Sequence, residues 1–205
     1  FMSLEFLLPV EDIAVAHSAL LSDLSLGKTI KKHTKKNGIP ALDSIHIAII
    51  GVLEGRNAVD NVGTGKGLEN IRKFLYQMFP GNWHATIADL GNIPQGKEVA
   101  DTYALLQDVL AQLLKRNITP IIIGGSQDLT YANYRAYDHL EQTVNLAVVD
   151  NKFDLGELED TTTSHNYLHK IVMENPNNLF NFSNIGFQTF FNSQEEIDLI
   201  IANAI

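Results

Sequence analysis

Two hydrophobic periodicities take turns along this chain. Residues 45–52 (Ile-His-Ile-Ala-Ile-Ile-Gly-Val) are nearly all apolar and run into loop residues, the pattern of a strand buried on both faces. Leu68, Ile71, Leu75 and Met78 then recur at spacings of three and four, so residues 66–79 read as an amphipathic helix stopped by Pro80-Gly81. The alternation repeats: a strand over 85–91, then a long helix with Val99, Tyr103, Leu106, Leu110 and Leu113 on one face. A strand over 120–125, a helix over 129–140, a strand over 144–149, a short helix over 167–173 and a strand over 184–187 complete the series. Residues 10–21 read as a helix and 175–181 as a loop, while Ser193-Gln194-Glu195-Glu196 has the spacing of a capping box that opens a last helix.

Strand, helix, strand order of this kind predicts the α/β class: a three-layer α/β/α arrangement with a mainly parallel sheet. Sites in such sheets gather at the carboxyl ends of strands, which directs attention to the residues after Val52, Ile123 and Val149.

Composition removes several functions. With 45% hydrophobic and 19% charged residues, and no apolar run near the roughly 20 residues a bilayer needs, the chain reads as globular, with no membrane partner. Fifteen basic against 24 acidic residues give a net charge of -9, which opposes attraction to phosphate backbones, so no nucleic-acid partner is expected. The absence of cysteine excludes a thiolate nucleophile, disulfides and sulfur-based zinc sites. The N-terminal residues lack the pattern of a secretory leader, so a cytoplasmic location is the expectation. Lys28 to Lys36 concentrates five lysines and a histidine and reads as a solvated helix edge or loop, or as a docking site for an acidic partner.

Gly63-Thr64-Gly65-Lys66-Gly67 lies between a strand and a helix, where a phosphate loop would lie. A Walker loop needs glycine and a hydroxyl residue where Asp60 and Gly67 stand, which argues against nucleotide binding. Two strand ends are more informative: Gly124-Gly125-Ser126-Gln127-Asp128 and Asp150-Asn151-Lys152-Phe153-Asp154. Together with Ile50-Gly51-Val52, the loop Asn57 to Gly67, Leu68-Glu69-Asn70-Ile71-Arg72, Asp89-Leu90-Gly91-Asn92 and Thr161 to Asn166, they make residues 45–190 resemble the ureohydrolase family. That family comprises arginase, agmatinase and formimidoylglutamase, and the overall pattern is closest to formimidoylglutamase.

The resemblance implies an arginase-like α/β domain over 45–205, with residues 1–44 as a helical and basic segment packed on it. It implies hydrolysis of linear amidine C–N bonds by water activated at a two-manganese centre, whose motifs read Gly-Gly-x-His and Asp-x-His-x-Asp. Here Asp150 and Asp154 keep the carboxylates, but Gln127 and Lys152 stand where histidines are usual. Protonated lysine has no lone pair for a metal, and glutamine offers only a neutral oxygen. The expectation is therefore a degenerate site at Gln127, Asp150, Lys152 and Asp154, with no cofactor in this chain although manganese belongs to the family.

Alternation along an extended segment would point Asp150, Lys152 and Asp154 to one side, where the lysine ammonium would pair with an aspartate and replace part of the metal's charge. The alternative is that these are ordinary loop charges. By resemblance Asn61, Gly63 and Ser164 lie on the substrate side. His165 and His169 have a spacing that metal sites use, but no acidic third ligand nearby. In the family a later strand adds an Asp-x-Asp pair that this sequence lacks, so the chain reads as truncated at its C-terminus and as inactive or metal-free. The alternative function is a non-catalytic binding or assembly module. A small amidine or amino-acid-like ligand and a homo-oligomer are the partners the resemblance implies.

Overall fold

The computed structural model describes residues 3–157 and 159–203. In chain order the regular elements are α1 (Asp12–Ala19), α2 (Leu26–Thr29), β1 (Lys31–Lys32), β2 (Ile47–Val52), α3 (Leu68–Gln77), β3 (Ile87–Ile93), α4 (Val99–Leu114) and β4 (Thr119–Ile123). They are followed by α5 (Leu129–Asp138), β5 (Val144–Val149), α6 (Tyr167–Val172), β6 (Leu179–Ile185) and α7 (Gln194–Asn203). All pairs between these strands are parallel. Internal packing divides the chain into two units, one running to Arg56 and resuming over Asn61–Ser126, the other combining Asn57–Asp60 with the chain from Gln127 onward.

The first unit carries a sheet in the order β1-β3-β2-β4. The chain passes from β2 through α3 to β3, then returns across β2 through α4 to β4. Because parallel crossovers are right-handed, two crossovers in opposite directions put α3 and α4 on opposite faces of the sheet. The contacts agree: α3 meets α1 and α2, whereas α4 meets β3, β4 and the short 3₁₀ turn Ser3–Phe6. This is the three-layer α/β/α arrangement. Ala48, Ile50, Val52, Leu90 and Ile93 are fully buried, as the continuous apolar runs of β2 and β3 require.

The lysine-rich segment, expected as a solvated helix edge or loop, begins on a helix and adds a short strand. It holds the end of α2 and the edge strand β1, which pairs with β3 at Lys31↔Ala88 and Lys32↔Asp89. Two lysines carry no apolar period, so this strand had no signal in the pattern. Its charges are largely engaged: Lys35 with Asp12, Lys28 with Asp23, Lys31 with the Ser44 hydroxyl, and Lys32 with the Gly27 carbonyl and the Tyr76 ring.

Beneath α3 lies a cluster of buried charge. The Arg72 guanidinium, with no exposed surface, donates Nε to Asp89 Oδ2 at 2.8 Å and Nη2 to Asp89 Oδ1 at 2.9 Å. Its Nη1 donates to Asn92 Oδ1 at 2.7 Å and to both oxygens of Glu11. Tyr76 donates its hydroxyl to Asp89 at 2.8 Å, and the Gly91 amide adds a bond at 3.0 Å. Burial by itself would favour loss of the Arg72 proton, but the bonds to Asp89 and the charge of Glu11 outweigh it and hold the group more firmly charged than usual.

In the second unit β5 and β6 pair in parallel, with α6 in the crossover between them. Val144, Leu146 and Val148 face a core of Tyr134, Phe153, Leu155, Tyr167, Leu168, Ile171 and Phe182, while Asn145, Ala147 and Val149 are exposed. The last strand starts at Leu179 rather than at residue 184. Leu-Phe-Asn-Phe-Ser-Asn-Ile mixes asparagine into an apolar stretch, and those asparagines made its first half look like loop. The capping box forms as the sequence suggests: the Ser193 amide donates to Glu196 Oε2 at 2.8 Å and the Glu196 amide to Ser193 Oγ at 3.1 Å. Among the described residues no helix is long and apolar enough to cross a membrane.

Candidate functional site

The carboxyl end of β5 brings the expected residues of the second unit together. The Asp150 amide still bonds to the Ile185 carbonyl of β6 at 3.2 Å, and then the chain turns. Asp150 Oδ1 accepts the Lys152 amide at 3.0 Å, an Asx turn that bends the backbone away from the strand. Its other oxygen, Oδ2, accepts the side-chain amide of Gln127 at 2.5 Å, and the same Gln127 nitrogen lies 3.4 Å from the Tyr167 hydroxyl. Only the nitrogen end of Gln127 can face an ionised carboxylate this closely, because the oxygen end would repel it.

Asp154 follows in the left-handed region at φ 55, with 4% of its surface exposed. Its Oδ2 is buried and has no hydrogen-bond partner. Burial, and then the nearby Asp150 carboxylate, push the Asp154 carboxyl up to about 7, with Lys152 offsetting only part of the rise.

The left-handed backbone at Asp154 departs from the extended segment that the alternation assumed. Among the described residues Lys152 has no ion pair with either aspartate, although its charge still offsets part of the rise at Asp154. Three side chains that the sequence reading missed hold the loop instead. Asn184 donates to the Lys152 carbonyl at 2.8 Å, Asn192 accepts the Phe153 amide at 2.8 Å, and Glu196 accepts the Leu155 amide at 3.3 Å. Their signal was weak, since asparagines near strand and helix ends are common in any loop.

The remaining positions divide between the units. In the second, the Ser164 hydroxyl accepts the Val59 amide at 3.1 Å, its own amide donates to the Asn57 carbonyl, and Asn57 donates to the Thr162 carbonyl at 2.7 Å. His165 approaches Asp60 at 3.5 Å while His169 bonds the Gly156 carbonyl, so each of these two histidines has its own partner.

In the first unit Asn61 and Gly63 are exposed on the glycine-rich loop. That loop is tied to the end of β4 by bonds from the Gly125 amide to the Thr64 carbonyl and from the Ser126 amide to the Glu54 carbonyl. Gly124, at φ 76, lies so close to α3 that a Cβ would sit 2.0 Å from Leu68 Cδ2. Fully buried Glu54 anchors the start of the loop. Burial alone would raise its carboxyl, but bonds from the Arg56 side chain and backbone, Thr102 and Gln95 prevail and bring it down to about 2.

The donor set does not fit a metal. Asp150 is turned to hydrogen-bond donors, Gln127 presents nitrogen rather than oxygen, and Lys152 has no lone pair to offer. Among the described residues no three His, Asp or Glu side chains group in a way that could hold an ion.

The model of the Arginase family matches residues 45–203. The chain belongs to the arginase family. Among curated arginase-family relatives, it is 28% identical to the formimidoylglutamase of Staphylococcus epidermidis over 119 residues, covering 57% of this chain and 38% of that one. It is 26% identical to the formimidoylglutamase of Streptococcus gordonii over 170 residues, covering 69% of this chain and 51% of that one.

Solved structures agree on the arginase fold. A Trypanosoma cruzi formiminoglutamase with Mn2+ superposes with a TM-score of 0.72 at 19% identity, over 87% of this chain and 62% of that one. Arginase from Medicago truncatula gives 0.68 at 13% identity, over 98% of this chain and 62% of its own length. The chain thus spans about half, or less, of the curated relatives it matches.

Proposed function

We propose that this arginase-family chain does not carry out ordinary metal-dependent hydrolysis of linear amidine C–N bonds, and that it serves as a binding or assembly module on the ureohydrolase fold. The observation that carries the reading is the Gln127 to Asp150 hydrogen bond. An amide N–H directed at a carboxylate satisfies the charge that a metal would otherwise neutralise, and the lysine at the second histidine position would repel a cation that entered. Relatives named formimidoylglutamase support the substrate class of the ancestral pocket, so a small amidine or amino-acid-like molecule is the ligand class proposed for this one.

The test pairs metal analysis of purified protein, after manganese is added and after it is removed, with assays for urea or formamide release from arginine, agmatine and formimidoylglutamate. The expected outcome is substoichiometric manganese and no product. Stoichiometric manganese together with release of either product would sink the proposal.

A further inference from the structure

The first unit has an open hollow of about 430 Å³ beside its edge strand β1. The lining joins apolar Val15, Ile30 and Pro40 to four polar residues, Lys31, Lys32, Thr34 and Asn37, and includes no acidic side chain. The surrounding segment is the basic exception in a chain of net charge -9: residues 28–36 hold five lysines and no aspartate or glutamate. Asp12 and Asp23 reach the segment from outside it, and they meet Lys35 and Lys28 rather than the lysines of the hollow. Lys31 donates to the Ser44 hydroxyl at 3.0 Å and Lys32 to the Gly27 and Ile30 carbonyls, so among the described residues neither ammonium is paired with a carboxylate. Burial holds Lys32 less firmly charged than usual, and the charge of Asp89, already bonded to Arg72, offsets only part of this. The Thr34 hydroxyl accepts the Asn37 backbone amide at 3.1 Å. Its proton, like the Asn37 side-chain amide, is left without an acceptor among the described residues.

We propose that this hollow binds a small molecule through a phosphate group. Cations without carboxylate partners, beside hydroxyl and amide donors, call for an anion, and the same lining repels a cation. Lysine meets an anion as a point charge, whereas a carboxylate is best gripped by the planar arginine fork, which no lining residue supplies. A phosphate monoester carries about -1.5 to -2 at neutral pH, so it gains more from two lysines than a carboxylate does. The volume lies within the range of small-molecule sites, and Val15, Ile30 and Pro40 offer apolar surface to the body that carries the phosphate. A polyanion would be repelled by the net charge of the whole chain, which disfavours nucleic acid as the occupant. The inference concerns the first unit and does not depend on the function proposed for the Asp150 loop.

Phenyl phosphate, inorganic phosphate and benzoate are each titrated into the full chain at neutral pH and low salt, and followed by backbone-amide NMR shifts. Saturable binding of one phenyl phosphate is expected, with the Lys31, Thr34 and Asn37 amides moving. Benzoate should bind at least about threefold more weakly for want of the second charge. Inorganic phosphate tells two sources of the group apart: weaker binding than phenyl phosphate supports an organic ester, and equal binding supports the free ion. Lys31→Gln removes an exposed charge from the hollow and should weaken phenyl phosphate at least about threefold. Lys115→Gln removes the same charge outside the hollow and should leave the affinity unchanged. Absence of saturable binding of either phosphate up to about 10 mM, equal affinity for benzoate and phenyl phosphate, or equal losses in the two variants overturns the proposal. The comparison with benzoate uses the unmodified protein and stands even if Lys31→Gln fails to fold.

Discussion

Two regions handle buried carboxylates in opposite ways. Under α3, Asp89 receives both arms of the Arg72 fork, a tyrosine hydroxyl and a backbone amide, so its charge is met on every side. Beyond β5, Asp154 is almost as buried, yet one of its oxygens has no partner and its nearest carboxylate repels it. The first arrangement is what a fold needs: complete pairing that fixes three elements against one another. The second leaves polar capacity unused, at a strand end where α/β proteins place their chemistry. The contrast separates charge that is fully paired from charge that is not.

The strongest test of that contrast removes the partner from the paired side. Arg72→Leu would leave Asp89 buried and uncompensated, along with the Tyr76 hydroxyl and Glu11 that now meet around it. Breaking a buried pair on one side costs about 3–5 kcal/mol, enough to unfold a marginal domain. Urea unfolding followed by circular dichroism should show that loss, or no folded protein at all. A loss below about 1 kcal/mol would mean that the cluster is better hydrated than its geometry indicates.

Asp154 should respond with the opposite sign. Its carboxyl has an ordinary value near 3.8 and is pushed up to about 7 in the folded chain, so folding favours the protonated form. The contribution to stability is complete below the ordinary value, declines as pH rises through about 7, and is absent above it. Asp154→Asn removes this titration and suits the left-handed backbone at least as well. Relative to the native chain, the variant should gain up to about 4 kcal/mol between pH 4 and pH 8 in the presence of a chelator, the full shift of Asp154 at about 1.4 kcal/mol per pH unit. A difference that does not change with pH would show that the carboxyl is solvated rather than buried.

A third test asks whether the loop can be returned to metal chemistry. Gln127→His together with Lys152→His replaces an amide donor and a cation with two groups that have lone pairs, beside carboxylates that are already present. Manganese affinity by calorimetry should rise at least about tenfold, the scale on which even outer-shell partners act. No gain would mean that further ligands are missing.

How much of this was legible beforehand follows the same division. The apolar periods located β2, β3, α4 and β5 to within two or three residues, because β2 and β3 are buried along nearly their whole length and α4 and β5 bury one face each, and their sequences show it. The substitutions at Gln127 and Lys152 were visible as residue types. What they do was not, because hydrogen-bond direction depends on Tyr167 and Asp150 meeting Gln127 from far along the chain. The expected Lys152 ion pair failed for a related reason: proximity in sequence does not fix where a long, flexible side chain points. Strand β1 was illegible because an edge strand made of two lysines leaves no hydrophobic trace.

The smallest expected effect sharpens the comparison most simply. Lys35 and Asp12 approach to 2.5 Å, closer than Arg72 to any of its partners, yet the two side chains are 71% and 70% exposed. If distance governed stability, Lys35→Ala should be costly. Water screens this pair, and two flexible side chains must be held still to make it, so the expected loss is about 0.5 kcal/mol or less and should vanish in 1 M salt. Denaturation of Lys35→Ala beside Arg72→Leu measures the difference directly. Comparable losses would mean that contact distance outweighs burial in this fold, and the distinction drawn between Asp89 and Asp154 would lose its physical basis.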